Sequence, residues 1–444
     1  MAVNIEYILN NFKADFVKIT REREVFTSYI FNTGNPEICF TRQRKLGLAE
    51  LLWFIIYPRA KSTEVELMDY FGEFSIERTP TKGALSQRRK IVDADIFLRL
   101  NSMLVPVLRN GGLRDKWHGL SMVAFDGTTV TLPDTPELRE KYGCPAARGN
   151  RKANPQARVV YCYDVRNRIF LGAMALPYQS SERSAVLGLI DALPECYKKD
   201  TVFLFDRGYP SYYLMDQIDK RNLYFFMRMP SNAFRPAWEF AGGDSDAGPV
   251  VFERPARFRP GVQTRGEVDF PLLFHAVRTV LPGGETEVCV HNLRPGTAAY
   301  ADAGRIYPMR WKIETAIGEE KNQFQVEVFS SKRENGVLQD LYASMVAYNL
   351  LAPFLRAADE MAGQRRRHGK HAEMTNRNIA LAIFRHFFPL LVDEHTNLGI
   401  LTLCVKRMTC FLEPIIGGRR LPHKRRHQKS NGKYVTMSNY RRSI

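Results

Sequence analysis

The sequence predicts an α/β chain built around one mixed sheet, with a helical region before it and a basic region after it, on three observations. From Gly119 onward, short runs rich in β-branched and aromatic residues follow one another: LSMVAFD, ARVVYCYDV, RIFLGAMAL, TVFLFD and LYFFMRM. Such runs, bounded by polar residues, read as strands. The first three are expected to be joined by short polar turns, as in a hairpin meander, whereas the last two each follow a helical segment, near 182–193 and 211–221. An order of strand, strand, strand, helix, strand, helix, strand is the ribonuclease H-like arrangement, in which later strands are joined by helical crossovers.

The flanking elements follow in chain order. Residues 1–115 read as helical, with Leu46, Leu48, Leu51, Leu52, Ile55 and Ile56 in one stretch and Leu85, Ile91, Ile96, Leu100 and Leu104 in another. The second stretch begins PTKGALSQRRKIV, with Thr81 as a candidate cap and Gln87, Arg88, Arg89 and Lys90 offered to solvent. Arg88 and Arg89 belong either to a DNA-reading helix or to an ordinary basic helix face, and spacing does not separate the two. The sheet domain is expected over 116–230 and 301–357. Between them, 231–300 is rich in Gly, Pro and Arg and carries strand-like runs such as PVVFERPARFR and TEVCVHNL, so an inserted β subdomain is expected. Helical signal resumes from Tyr307 to about Ser330 and again over LQDLYASMVAYNLL. Residues 358–444 read as helical and basic, with QRRRHGK and, from Gly417 on, nine Lys and Arg and no acid, a tail expected to be mobile.

Composition narrows the function. Among 444 residues, 64 Lys and Arg stand against 47 Asp and Glu, a net charge of +17. A polyanionic partner is implied, and an enzyme of small neutral metabolites has little use for such a field. No apolar run approaches the roughly 20 residues of a membrane span, so nucleic acid is preferred to membrane. The first residues carry Glu6, Asp15 and Glu22 with no apolar core and cleavage site, so no secretory signal is expected. Seven cysteines without a CxxC pair argue against a disulfide framework or structural zinc and suit a reducing cytoplasm.

Two strand runs are expected to end in an aspartate, Asp126 in VAFDGTT and Asp206 in VFLFDRGY. A carboxylate after an apolar run costs desolvation energy unless it is paired or binds a metal, although either one alone reads equally as a turn cap. The segment YPMRWKIETAIGEEK supplies a third element. Tyr307, Arg310, Glu314 and Lys321 follow at steps of three, four and seven residues, which share one face of a helix, and Pro308 is tolerable in its first turn. Glu319 and Glu320 are turned from Glu314 by roughly 140° and 240° at about 100° per residue, leaving Glu314 as the better third carboxylate. The stripe is too polar for a core, though a solvated face with local ion pairs competes with a site. Three carboxylates on a basic chain match the needs of two-metal phosphoryl transfer, in which hard oxygen ligands hold two ions about 3.5–4 Å apart.

With these residues in view, the sequence resembles the insertion sequence 4 family of bacterial DDE transposases. The family signature of Tyr, two residues, Arg, three residues, Glu, six residues and Lys is matched by Tyr307, Arg310, Glu314 and Lys321. DGTTVTLPDT at 126–135 and DRGYPS at 206–211 resemble the blocks around the first two aspartates, and AYNL at 347–350 resembles the following helix. The resemblance covers roughly residues 40–350. It implies Asp126, Asp206 and Glu314 as catalytic residues and ligands of two magnesium ions, for which manganese can substitute. It implies double-stranded DNA as partner, at transposon ends and target, and a homodimer in the synaptic complex.

The implied chemistry is hydrolysis at the transposon end, freeing a 3′-hydroxyl that then acts as nucleophile. In relatives this passes through a hairpin end. Tyr307, Arg310 and Lys321 would contact phosphates of the end. Family members also stack a flipped base on a tryptophan of the insertion; here Trp238 is either that platform or a packed anchor of the subdomain. Arg254, Arg257, Arg259 and Arg265 either track phosphates or are solvated charge. The expected protein is a DNA transposase that binds terminal inverted repeats and works by cut and paste in the bacterial cytoplasm, associated with the nucleoid. A host-serving nuclease on the same scaffold and a catalytically silent DNA-binding repressor are the alternatives.

Overall fold

In the computed structural model, β1 (Ser121–Thr131), β2 (Gln156–Asp164), β3 (Ile169–Pro177), β4 (Thr201–Phe205), β5 (Tyr224–Arg228), β6 (Ala247–Phe252), β7 (Leu272–Val280) and β8 (Thr286–His291) form one sheet. Its order is β3-β2-β1-β4-β5-β8-β7-β6. The structure describes residues 3–415 apart from 32, 34, 42–45, 59–60, 73–78, 147–152, 232, 256–266, 282–283 and 366–371. The expected Arg257, Arg259 and Arg265, the QRRRHGK run beyond Arg365 and the tail from Gly417 lie outside the described residues.

Strand β4 reads TVFLF and is buried at all five positions, as a parallel strand covered on both faces must be. It pairs in parallel with β1 from Ser121↔Thr201 to Ala124↔Leu204 and with β5 from Val202↔Tyr224 to Phe205↔Met227. Phe125 stacks on Phe205 at 5.2 Å and meets Phe203 edge-on at 5.7 Å. Truncating one such ring to Ala costs about 3–5 kcal/mol. The helix Arg183–Asp191 joins β3 to β4, and Tyr212–Lys220 joins β4 to β5, its first turn capped by Ser211 accepting from Leu214 N at 3.1 Å. With β2 and β3 antiparallel, these five strands make the ribonuclease H-like mixed sheet.

Two expectations about this sheet change. The connection from β1 to β2 is no short turn, because it contains the helix Pro136–Tyr142, begun by Pro136 and capped by Thr135. The inserted strands make no sheet of their own. Antiparallel pairing carries the sheet from β5 to β8 (Phe226↔His291), from β8 to β7 (His275↔His291) and from β7 to β6 (Ala247↔Val277). The exposed backbone edge of β5 is thereby satisfied.

The chain divides into two units. Residues 114–130 and 157–318 hold most of the sheet; residues 1–113, 131–156 and 319–444 hold the remaining helices. In the helical unit, Ile5–Arg21 buries Ile5, Ile8, Leu9, Phe12, Phe16 and Ile19, an apolar stripe at helical spacing. Phe16 stacks on Trp53 at 3.9 Å, and Trp53 meets Phe388 at 6.1 Å. Phe388 lies in the helix Arg377–Val392, and Phe384 of that helix meets Phe354 of the 32-residue helix Glu334–Arg365 at 5.4 Å. The first and last helical regions therefore share one core instead of forming separate regions. Distant segments can do this because hydrophobic burial has no sequence directionality.

Candidate active site

The carboxyl end of the parallel strands is where ligands bind in open α/β sheets. Asp206 directly follows the last residue of β4. Asp126 lies within β1, which runs on to Thr131 instead of ending at the aspartate as expected. The β1–β4 pairing stops earlier, at Ala124↔Leu204, two residues before each aspartate.

The Tyr–Arg–Glu segment starts differently from the expected continuous α-helix. Tyr307–Arg310 is a 3₁₀ turn containing Pro308, and the α-helix runs from Trp311 to Asn322. Proline lacks the N–H that a regular helix interior would use, and the tighter turn suits a helix start. Tyr307 and Arg310 are buried and Glu314 is exposed. Tyr307 Oη donates to Asp206 Oδ1 at 2.8 Å. Arg310 Nη2 donates to Glu314 Oε1 at 2.5 Å, and its Nη1 lies 3.5 Å from Asp126 Oδ2. The guanidinium also sits over the Trp311 ring at 4.9 Å.

Arg310 therefore joins two of the three expected carboxylates, and Tyr307 holds the third. Burial would discharge this arginine, but Tyr307, Glu314 and Asp126 outweigh it and keep the guanidinium protonated. Its Nε and Nη1 are buried without a hydrogen-bond partner, Nη1 standing in ion-pair range of Asp126. Burial pushes the Asp126 carboxyl up to about 7; Arg310 opposes the rise, Glu314 and Glu182 add to it, and the bond from Gly127 N opposes it weakly. Among the described residues, no three Asp, Glu, His or Cys side chains are close enough to share one metal ion.

The other expected residues are placed as follows. Lys321, on the same helix seven residues beyond Glu314, belongs to the helical unit, where its Nζ lies 3.7 Å from Glu327. Glu319 and Glu320 are buried in that unit: Glu319 pairs with Arg377 at 3.2 Å and Glu320 accepts from Ser344 at 2.7 Å. Arg88 is half-buried over the Phe40 ring at 4.7 Å. Arg89 is committed elsewhere than to a DNA-reading face: it is buried, donating to Gln339, Gly336 O and Asp340. Trp238 Nε1 donates to Pro230 O at 2.8 Å, which suits an anchor of its helix, Arg235–Ala241. Arg254 lies just past β6, exposed.

Sequence reasoning missed Glu182, Arg158 and Tyr209, which form a second polar group beside Asp126. Tyr209 lies inside the DRGYPS block, so only its role went unread. Glu182 and Arg158 carry no local signal, because their partners come from other strands.

The ribonuclease H-like sheet thus carries one aspartate within β1, another just past β4 and a glutamate on a later helix. Residues 117–237 and 281–350 of this chain match the transposase DDE domain family. It is similar to the InsZ protein of Escherichia coli (strain K12), 33% identical over 169 residues, 37% of this chain and 55% of that protein. The chain thus spans little more than half the length of that relative. It is also 24% identical over 337 residues to transposase InsG for insertion sequence element IS4 of the same organism, covering 72% of this chain and 73% of the relative. Among solved structures, a piggyBac transposase synaptic complex with hairpin DNA is similar at a TM-score of 0.40 and 10% identity, over 96% of this chain and 90% of that one. A Mos1 transposase paired-end complex with the left transposon end follows at 0.19 and 13%, over 50% and 76%.

Proposed function

We propose that this chain is a DNA transposase that binds the terminal inverted repeats of its element and moves it by cut and paste. The observation that carries this reading is the convergence of Asp126 and Glu314 on buried Arg310, with Asp206 held by Tyr307 of the same segment. Carboxylates paired around a buried cation form a site for a phosphodiester, where negative charge must be met and oxygens polarised.

Asp126, Asp206 and Glu314 are hard oxygen donors suited to magnesium or manganese, and the buried guanidinium between two of them supports the reading that this place tolerates positive charge. They would hold two such ions, which when bound supply an activated water and charge stabilisation at the entering and leaving oxygens. The protein's own part is orientation. Tyr307 fixes Asp206 through its hydroxyl, and Arg310 holds Asp126 and Glu314 together. Lys321 adds a point charge for the DNA backbone. In the reaction, a water oxygen bonds to phosphorus as the bond to the 3′-oxygen breaks. The 3′-oxygen takes the proton the water gives up; the freed hydroxyl oxygen then bonds to a phosphorus of the target as that phosphorus loses its own 3′-oxygen, which takes the hydroxyl's proton. The partners are double-stranded DNA and a second copy of the chain in a synaptic dimer. Among the described residues no helix is long and apolar enough to cross a membrane, and work at the nucleoid in a bacterial cytoplasm is the setting proposed.

The test is excision from a plasmid carrying the element's own ends, with magnesium or with chelator, for wild type, Asp126→Asn and Glu314→Gln. Both substitutions should lower excision at least about 100-fold while end binding persists. Excision that survives either one sinks the ligand assignment, and end binding without cleavage by wild type makes the chain a repressor.

A further inference from the structure

We infer that Glu182 is a positioning residue of this site, a fourth carboxylate that fixes the Asp126 strand against the turn that carries Asp206. The inference rests on the phosphoryl-transfer reading above. Glu182 immediately precedes the helix Arg183–Asp191 on the crossover from β3 to β4. Its Oε1 accepts from Arg158 Nη1 of β2 at 2.7 Å, and its Oε2 accepts from Tyr209 Oη at 2.7 Å. Tyr209 closes the Asp206 turn, its N–H donating to Asp206 O at 3.0 Å. The next residue grips the same turn, Arg183 Nε donating to Gly208 O at 2.9 Å.

The other side of the carboxylate lies against β1. A Cβ on Gly127 would fall 2.2 Å from Glu182 Cδ and 2.4 and 2.5 Å from its two oxygens. Gly127 has no positive φ, so the glycine answers to space and not to backbone conformation. One carboxylate thus touches the backbone next to Asp126, the turn after Asp206, and β2. Both its oxygens are occupied by donors, so it acts through the aspartates and is no further ligand. Outer-shell groups of this kind typically carry 10–100-fold in metal affinity or activity.

The experiment compares full-length wild type, Glu182→Gln, Tyr209→Phe, Gly127→Ala and the double variant Gly127→Ala with Glu182→Ala. Three readouts are taken: Mn²⁺ binding by calorimetry without DNA, cleavage of a duplex bearing the element's end, and Tm. Glu182→Gln and Tyr209→Phe should each weaken Mn²⁺ binding and cleavage about 10–100-fold, with Tm and end binding close to wild type. Gly127→Ala should do likewise, and adding Glu182→Ala should cost no further activity, because the two act on one contact. Mn²⁺ binding within twofold of wild type in both Glu182→Gln and Tyr209→Phe overturns the inference. So does a fall in Tm that accounts for the lost activity. A wild type that binds Mn²⁺ with this Glu182 dependence but cleaves no ends defeats the transposase reading alone. A wild type that binds no Mn²⁺ defeats both.

Discussion

Arg89→Ala removes a guanidinium that the helical unit uses as an internal clamp. Nε donates to Gln339 Oε1 at 2.8 Å, and Nη2 donates to Gly336 O at 2.8 Å and Asp340 Oδ1 at 2.9 Å. The Arg89 and Asp340 side chains are 6% and 9% exposed, so solvent screens the pair little. Deleting one partner of a buried ion pair costs about 3–5 kcal/mol, because the remaining charge stays buried. Asp340 would keep its bonds from Ser330 N at 2.7 Å and Ser330 Oγ at 2.8 Å, which offset part of that loss. The lower figure, about 3 kcal/mol, is therefore expected. For a unit of this size each kcal/mol moves the midpoint by about 2–4 °C, so Tm should fall by about 6–12 °C. Circular-dichroism melting measures this, beside anisotropy binding of an end duplex well below the midpoint. Half-buried Arg88, replaced by Ala, is the control. A Tm change under about 2 °C for Arg89→Ala together with lost end binding would refute the clamp and return Arg89 to the DNA-reading surface.

Further predictions concern charge and the insertion. Burial pushes the Glu320 carboxyl up to about 8, with Ser344 opposing and Glu319 adding. The folded state holds this proton longer than the unfolded state, so the stability it contributes is present near pH 4.5 and is lost as pH rises through about 8. Glu320→Gln should accordingly raise Tm at pH 8 more than at pH 5, and equal shifts at both would contradict a buried neutral acid. Arg310→Met removes the cation between Asp126 and Glu314, so Mn²⁺ should bind several-fold tighter while end binding weakens; weaker Mn²⁺ binding would count against the counter-ion role. Deleting 247–291 should leave a chain that aggregates, checked by light scattering, because the β5 edge would be bare.

Strands β1 to β5 were legible because each is a largely apolar run, β3 at the sheet edge included. β7 was not, since His275 and Arg278 interrupt LLFHAVRTV; both have partners that sequence does not display, Tyr300 and Asp246. The pairing of β5 with β8 joins residues more than 60 positions apart, and local patterns carry no register across such a gap. The Tyr–Arg–Glu stripe was legible because one helical turn after another repeats it. Arg89 resembled its neighbours Arg88 and Lys90 in sequence and differs only in what faces it. Glu182 acts through Arg158, Tyr209 and Gly127, which lie 24, 27 and 55 residues away, differences read from their numbers.

The continuation of the sheet from β5 into β8, β7 and β6 also bears on how such proteins can be recombined. An insertion on its own sheet could be exchanged as a cassette at two loop junctions. Here three strands and their ladder partner form a single hydrogen-bonded fabric, so a graft has to preserve the seam Phe226↔His291 to Arg228↔Cys289. Chimeras cut at 229 and 292 with a foreign insertion inherit the donor's seam register, and a slip of one residue would turn every side chain of the graft to the opposite face.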